Sequence, residues 1–498
     1  MLQSGYMKFN LKIGQLEKVE SKIVVVFGWS DQWFKETEGL DKKIGGILDK
    51  EAIRREFKTE VGKILEIDTQ GKIPAQKVWL LGLGKKEEYD GLVLRQAFAA
   101  LAKKIKQERA ETIAWVGLVD MQAAVEGMIL GGYEFKKYKT KEEEKPALAK
   151  ASAGKEENEV TILVKDAREL VSVKENITRG EIYSQATIFC RDLVNEPSSV
   201  TTPTYLAGLA EKITKKEKFS AKIFEKPDLE KLSMGALLGV ARGSDEPVKF
   251  IKIEYKGGNK KLILVGKGIT FDTGGLSLKP QEGMETMKMD MAGAAAILAI
   301  FSVLDKIRPK FHIIGLIPCT ENMPSGKAIK PGDIVKAYNG KTIEVLNTDA
   351  EGRLILADAL AYGATLKPDL MIDLATLTGA CIVALGEDVA GLFSDSEDIT
   401  AKLRKAAEKV GEKFWPMPLE KRYKELLKSE VADIKNVSGK KYGGAITAAL
   451  FLQEFVGNIP WVHLDIAGPA WQEKGTDLIP KGGSGFGVRT ILNFLQNL

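Results

Sequence analysis

Short apolar runs alternate with helical patterns along most of this chain, and this rhythm restricts the possible fold more than any other feature. Beyond Pro247 the runs predict strands at 250–255, 262–265, 312–316, 369–374 and 461–466. Between several of them, helices are predicted at 292–304, 354–364 and 445–455. Such alternation is typical of a sheet covered by helices on both faces. In that architecture ligands collect at the carboxyl ends of strands.

The first 165 residues repeat the rhythm on a smaller scale. Apolar runs predict strands at 22–27, 77–81, 112–116 and 160–164, and a helix at 92–105. Between Tyr138 and Asn158 the chain is charged, as is typical of an exposed loop. A long helical pattern then covers 166–194. We therefore expect an N-terminal α/β domain at 1–165, a linker helix at 166–195 and a larger C-terminal α/β domain at 196–498.

Composition excludes several classes of protein. The three cysteines lie far apart, which excludes a disulfide scaffold, and the two histidines, His312 and His463, are too few for a three-histidine zinc site. A net charge of +5 over 498 residues gives little drive towards nucleic acid. The first residues lack the pattern of a signal peptide, and the most apolar run is too short to span a membrane. We expect a cytoplasmic protein without a membrane partner.

Acidic residues cluster just past the predicted strand ends. Asp272 follows one strand in a glycine-rich loop, and Asp290 precedes an apolar helix. Asp349, Glu351 and Arg353 alternate, so in an extended stretch they would face one side. Singly, each carboxylate could cap a helix or form a surface ion pair. Together, four converging carboxylates would require cations, and their oxygens suit Mg²⁺ or Mn²⁺, with Zn²⁺ possible.

Other short motifs fail on particular residues. Asp272-Thr-Gly matches half of an aspartic-protease site, but no second triplet exists to share a proton. Phe271 occupies the third glycine position of a dinucleotide fingerprint, and Val335 the first glycine position of a phosphate loop. The glycines around Ser484 lack the closing glycine of a nucleophile elbow. A carboxylate metal site remains the best supported chemistry.

Six stretches of this sequence resemble the leucyl aminopeptidase family, the hexameric di-metal cytosol aminopeptidases. They are RDLVNEPSS (191–199), VGKGITFDTGGLSLKP (265–280), MKMDMAGAAA (287–296), NTDAEGRL (347–354), DLATLTGA (373–380) and HLDIAG (463–468). The resemblance is dense from about residue 170 onward and thin over the first 160. It implies a metallo-exopeptidase with a macro-like N-terminal domain and a C-terminal catalytic domain whose mixed sheet is flanked by helices.

The resemblance also implies a site. It assigns two divalent ions (Mn²⁺ or Zn²⁺, with Mg²⁺ possible) to five ligands: Lys267, Asp272, Asp290, Asp349 and Glu351. Asp272 and Glu351 would contact both ions. The catalytic basic residues would be Lys279 and Arg353, with a bicarbonate held by Arg353. The substrate-binding residues would be Met287, Asn347, Thr376, Leu377, Ala467 and Ala470.

The implied reaction is removal of N-terminal residues, preferably Leu-like, from short peptides with a free N-terminus. A homohexamer, built as a dimer of trimers, is the implied assembly. Two alternatives stay open: an additional DNA-binding and regulatory role, as in some relatives, and a Cys-Gly dipeptidase role in thiol turnover. Whether the N-terminal domain binds a ligand also stays open. His463 lies in a predicted strand, and we interpret it as structural.

Overall fold

The structure is a computed structural model that describes residues 7–30, 32–117, 120–140 and 158–498. These residues form two compact units. The first contains the described residues up to Gln185 together with Glu408–Gly411 and Lys474–Pro480; the second contains Ala186–Ala407, Glu412–Glu473 and Lys481–Leu498. Most of the segment predicted as an exposed charged loop, 141–157, lies outside the described residues.

The first unit is built on a mixed sheet. Its strands are β1 (Met7–Ile13), β2 (Ile23–Gly28), β3 (Ile64–Asp68), β4 (Lys77–Gly82), β5 (Thr112–Val116) and β6 (Asn158–Val164). Its helices are α1 (Lys35–Ile44), α2 (Ile47–Arg54), α3 (Gly91–Glu108) and α4 (Met121–Gly131), and α5 (Ala167–Asn195) continues into the second unit. The strand order is β1-β6-β5-β2-β4-β3, and β3 alone among these strands runs antiparallel to its neighbour.

Alternate residues of β2 supply the two cores of this unit. Val25 packs in a cluster with side chains of α3 and α4, whereas Val24 and Val26 belong to a cluster that includes residues of α1 and α2. Because successive side chains of a strand point to opposite faces, one apolar run covers both faces of the sheet. The predicted strands and helix of this region are confirmed, with ends shifted by a few residues.

The second unit contains one large mixed sheet and two small sheets. Its strands are β7 (Phe219–Phe224), β8 (Lys249–Lys256), β9 (Lys261–Gly266), β10 (Gly268–Asp272), β11 (His312–Asn322), β12 (Ile334–Lys336), β13 (Thr342–Glu344), β14 (Leu370–Ala375), β15 (Val389–Ser394), β16 (Lys413–Pro416), β17 (Ile434–Lys435), β18 (Trp461–Asp465), β19 (Trp471–Gln472) and β20 (Gly482–Gly483). Its helices are α6 (Pro203–Ile213), α7 (Lys226–Lys231), α8 (Gly235–Ala241), α9 (Gln281–Met284), α10 (Ala292–Ile307), α11 (Gly352–Thr365), α12 (Gly379–Leu385), α13 (Glu397–Val410), α14 (Gly444–Gln453) and α15 (Val488–Asn497).

The main sheet of the second unit has the order β16-β15-β18-β14-β9-β11-β8-β7, and β10 pairs with the far end of β11. Its centre, β18-β14-β9-β11, is parallel, so the carboxyl ends of these strands share one edge. β12, β13 and β17 form a small separate sheet. All the strands and helices predicted here beyond Pro247 are confirmed, and helices on the sheet agree with the expected α/β architecture.

One stretch of the described residues, Gln281–Ile307, is long and apolar enough to cross a membrane by length and composition. In the structure 83% of its most apolar window is buried. It is also divided, because α9, a 3₁₀ turn at Met287–Met291 and α10 follow one another within it. This stretch is a core segment of the second unit.

Candidate metal centre

The acidic residues of the site lie at the shared edge of the parallel strands. β9 ends at Gly266, directly before Lys267, and β10 ends with Asp272. The 3₁₀ turn that carries Asp290 leads into α10, and Glu351 directly precedes α11. Lys267 and Asp272 therefore lie at the carboxyl ends of strands, as expected, whereas Asp290 and Glu351 lie where helices begin.

Three carboxylates meet there. Asp272, Asp290 and Glu351 each offer an oxygen within 4.8 Å of the others, and all three side chains are buried. Lys267 lies among them, with its Nζ 2.8 Å from Asp290 Oδ1 and 2.9 Å from Glu351 Oε1. The same ammonium donates to the carbonyl of Thr376 at 2.8 Å. Residues distant in the sequence thus share one water-excluded point.

The surroundings of this cluster disfavour the charged form of its carboxylates. Burial is the largest cause that raises the pKa of Asp290, and repulsion from Glu351 and Asp272 adds to it. The pKa of Glu351 is raised in the same way. Burial would lower the pKa of Lys267, but attraction to the three carboxylates outweighs it and raises that pKa. The cluster therefore holds more negative charge than its lysine balances.

A second lysine joins the cluster to Asp349. Lys279 Nζ lies 2.9 Å from Asp272 Oδ2 and 2.5 Å from Asp349 Oδ1. Burial opposes the charge of Lys279, yet the nearby carboxylates raise its pKa. Asp349 is the most accessible of the four acids, since 33% of its side chain is exposed. The opening of the site lies on this side of the cluster.

Two glycines allow these groups to approach. A Cβ on Gly352 would come within 2.7 Å of Lys267 Nζ, so a side chain there would displace the lysine. Gly274 has a φ of 85°, which favours glycine, and its amide donates to Asp272 Oδ1 at 2.9 Å. The glycine-rich loop thus turns tightly around the Asp272 carboxylate.

Arg353 lies in the first turn of α11. One end of its guanidinium donates to the carbonyl of Asn436 at 2.6 Å, whereas its Nε, although buried, contacts no acceptor. Burial lowers the pKa of Arg353 to about 10, although Glu351 and Asp465 act in the opposite direction. At neutral pH the guanidinium is still charged. It offers a buried donor suited to a small oxyanion.

The predicted substrate-binding residues fall in two groups around the carboxylates. Asn347 Oδ1 accepts from the Asp349 amide, and Thr376 Oγ1 donates to Asp290 Oδ1. The amides of Leu377 and Ala467 both donate to Asp465 Oδ1 at 3.2 Å. The first pair thus contacts candidate ligands directly, whereas the second pair is held by Asp465, which is not a candidate ligand.

The other two predicted substrate residues are placed by their segments. Met287 begins the 3₁₀ turn that carries Asp290 and is partly exposed. Ala470 is buried just before β19. The described contacts of these two residues bring neither of them against the acidic cluster.

His463 lies on the strand side of the site. Its Nδ1 is 2.7 Å from Asp373 Oδ1, and its ring forms stacked contacts with Phe393 and with Trp461. None of these three partners is a candidate ligand. This placement agrees with the interpretation of His463 as structural.

Two local expectations are corrected. The stretch 349–353 is not extended: α11 begins at Gly352, and Glu351 already has helical angles, with φ −79° and ψ −36°. The alternation argument was therefore wrong, although the side chains do converge. The helix-capping alternatives are also wrong for Asp290 and Glu351: Asp290 Oδ1 accepts from the side chains of Lys267 and Thr376 and its Oδ2 has no partner, and the Glu351 side chain forms no cap bond to α11.

Sequence reasoning missed two asparagines that support the loops. Asn322, at the end of β11, donates to Asp272 Oδ1 at 2.8 Å and to the carbonyl of Thr348 at 3.0 Å. Asn436, just after β17, bonds to the segment 346–350. The strand-end rule could have found Asn322, whereas Asn436 follows a strand of only two residues.

The donor set fits divalent ions. Asp290 Oδ2 and Glu351 Oε2 are buried and have no hydrogen-bond partner. Buried carboxylate oxygens without partners are costly, and a cation would satisfy them. A divalent ion on these carboxylates would also reverse the pKa shift of Lys267, because the ammonium would then face like charge. The neutral amine could serve as a ligand.

Both units are similar to domains of one known protein family. Residues 188–492 match the catalytic domain of the cytosol aminopeptidase family, and residues 23–142 match the N-terminal domain of that family. A probable cytosol aminopeptidase of Alkaliphilus metalliredigens is 44% identical over 473 residues, which cover 92% of this chain and 93% of the relative. That of Alkaliphilus oremlandii is 41% identical and covers 99% of this chain and 100% of the relative.

Solved structures agree. A mutant of tomato leucine aminopeptidase superposes with a TM-score of 0.86 at 33% identity, covering 100% of this chain and 97% of that one. The bottromycin maturation enzyme BotP in complex with Mn has a TM-score of 0.83 at 31% identity, with coverage of 96% and 99%. The two-domain architecture is therefore the one found in these enzymes.

Proposed function

The chain belongs to the cytosol aminopeptidase family and is a metal-dependent aminopeptidase, and we propose that it releases N-terminal residues, preferably Leu-like, from short peptides. One observation carries the proposal: three buried carboxylates and Lys267 meet at a strand-end edge, with two carboxylate oxygens left without partners. A cluster of this kind needs cations. Its position, open at Asp349, allows a peptide end to reach it.

Two divalent ions are proposed for the site. One would be held by four groups: Lys267, Asp272, Asp290 and Glu351. The other would be held by Asp272, Glu351 and both the side chain and the carbonyl of Asp349. Such a pair supplies a nucleophile from water at neutral pH and polarises a scissile carbonyl. Mn²⁺ is favoured by the oxygen-rich donor set and by the Mn complex of BotP, with Zn²⁺ and Mg²⁺ as alternatives.

The two basic residues divide the remaining work. Lys279 lies against Asp272 and Asp349, and its ammonium is proposed to stabilise negative charge that develops on the substrate oxygen. Arg353 is proposed to hold a bicarbonate through its free Nε, and this anion would relay a proton to the leaving amine. A bicarbonate held in this way would act as the general base. His463 is not proposed for that role, because its ring bonds to Asp373.

The substrate is proposed to lie along two segments. Asn347, Thr376 and Leu377 would contact its backbone, and three apolar side chains would form the pocket for its first residue: Met287, Ala467 and Ala470. Methionine adapts its shape, which suits a broad preference among apolar side chains. A free α-amine would add a metal ligand, so a blocked N-terminus should not be accepted.

Three further properties are proposed on the resemblance. The chain would work in the cytoplasm, would assemble as a homohexamer of two trimers, and would carry its catalysis entirely within 196–498, with 1–165 as a separate module and 166–195 as a linker helix. The last point is supported by the position of all candidate site residues, which lie in the second unit.

The test is hydrolysis of Leu-p-nitroanilide with added Mn²⁺ or Zn²⁺. We expect turnover that a chelator abolishes, and no turnover of the N-acetylated substrate. The double variant Asp349→Ala, Glu351→Ala is the site control, because it removes one proposed terminal ligand and one bridging ligand. Undiminished turnover by that variant would refute the site.

A further inference from the structure

A buried asparagine, Asn436, contacts the loop 346–350 and lies outside the six stretches that carry the family resemblance. It follows β17, and its backbone N–H donates to the carbonyl of Glu344 on β13 at 2.9 Å. Its side chain has no exposed surface. The small sheet of β12, β13 and β17 thus delivers an amide group to the loop that leads to α11.

Both polar atoms of the side-chain amide of Asn436 form hydrogen bonds with this loop. Oδ1 accepts from the amide of Leu346 at 2.9 Å and, more weakly, from that of Asn347 at 3.4 Å. Nδ2 donates to the carbonyl of Asn347 at 2.7 Å and, more weakly, to that of Ala350 at 3.4 Å. The side chain therefore spans the turn that presents Asp349 and leads into Glu351.

The backbone of the same residue reaches the arginine. Its carbonyl accepts from Arg353 at 2.6 Å, and this is the contact that fixes one end of the guanidinium while Nε stays free. One residue thus sets the position of a carboxylate-bearing loop and the direction of a catalytic cation. A purely packing role would not require both side-chain polar atoms and the carbonyl of the residue to face the segment 346–353.

We propose that Asn436 is a positioning residue for the metal-binding loop and for Arg353. This inference rests on the proposed function. Removal of the amide leaves two amides and two carbonyls of the loop without their partner, so the turn relaxes and the oxygens of Asp349 and Glu351 lose their fixed separation. Partners that orient metal ligands typically contribute 10–100-fold to metal affinity or activity.

The experiment compares Mn²⁺ binding to the metal-free full chain by calorimetric titration. Asn436→Ala is the test variant, and Asn436→Ser is a second one in case the first does not fold. Asp358→Asn is the matched control. Asp358 is also a fully buried polar residue that bonds to two backbone amides, but those amides belong to Leu237 in α8 and Tyr338 just after β12, and neither segment carries a candidate ligand.

We expect an Asn436 variant to bind Mn²⁺ about 10–100-fold more weakly than the wild type. At saturating Mn²⁺ its kcat should fall about tenfold or more while KM changes little, because the carbonyl contact with Arg353 is disturbed as well. Asp358→Asn should have a lower melting temperature than the wild type but the same Mn²⁺ affinity and kcat.

Two results would overturn this inference without affecting the proposed function. One is wild-type Mn²⁺ affinity and kcat in the folded Asn436 variants. The other is an equal loss of affinity in Asp358→Asn, which would show a general effect of destabilisation. A wild-type chain that binds no Mn²⁺ would instead overturn the proposed function, and the inference with it.

Discussion

The Lys267 ammonium lies 2.9 Å from the Glu351 carboxylate, although one residue follows β9 and the other precedes α11. Both side chains are almost completely buried. This ion pair lies in the buried part of the acidic cluster. It also explains why Gly352 is required, since a Cβ there would meet the lysine side chain.

Loss of this lysine should destabilise the metal-free chain. Lys267→Met removes the ammonium from Asp290 and Glu351 and leaves buried charge unpaired, which typically costs about 3–5 kcal/mol. The measurement is urea unfolding in the presence of a chelator. Lys216→Met is the control, because its pair with Asp305 is partly exposed and worth about 1 kcal/mol or less. A loss no larger than that of the control would contradict the prediction.

Lys279 should matter for turnover more than for metal uptake. Lys279→Met keeps the three-carboxylate cluster but removes the positioned charge, so kcat should fall about 10²–10³-fold. KM should change much less. Steady-state kinetics at saturating Mn²⁺ measure both quantities. A variant with a raised KM and wild-type kcat would place Lys279 in substrate binding instead.

Asp358 should make stability depend on pH. Burial raises its pKa from 3.8 to about 7, although backbone hydrogen bonds to Leu237 and Tyr338 act against the shift. The folded state therefore favours the protonated acid. Its contribution is complete below about pH 4 and is lost as pH rises to about 7, with a slope of at most about 1.4 kcal/mol per pH unit.

Urea unfolding between pH 4 and 8 measures this slope. Asp358→Asn cannot titrate, so its stability curve should be flatter than that of the wild type in this window. It should also be less stable by about 1–3 kcal/mol at low pH, because the new amide places a donor against backbone donors. Parallel curves for the two proteins would refute the assignment.

The cysteines should be inert in the native protein. Cys190, Cys319 and Cys381 are all buried, and burial raises the pKa of Cys190 and of Cys381 to about 12. Thiolate is the reactive form, so iodoacetamide at pH 8 should label none of the three thiols. Mass spectrometry after denaturation should find all three labelled. Rapid labelling of one native thiol would contradict the burial of that residue.

The sequence predicted the site through its strand ends. Long apolar runs such as β9 and β14 are recognisable because both faces are buried, and Lys267 and Asp272 were expected just past the end of β9, which is where they lie. The resemblance added the identities of the proposed ligands and the catalytic residues. Both kinds of reasoning depend on strong local patterns.

The parts that could not be predicted depend on tertiary contacts. β12, β13 and β17 have only two or three residues each, too few for a periodic pattern. Asn436 follows the shortest of them, so no local feature marks its role. The alternation of Asp349, Glu351 and Arg353 would place them on one side of an extended stretch, but α11 begins at Gly352, two residues before the predicted helix start.

The most direct test of the paired-ion site is anomalous diffraction from crystals of the full chain grown with Mn²⁺. Two peaks about 3.5–4 Å apart, with oxygens of Asp272 and Glu351 in contact with both, are the predicted result. A single peak, or Asp272 and Glu351 bound to separate ions or to solvent, would contradict it.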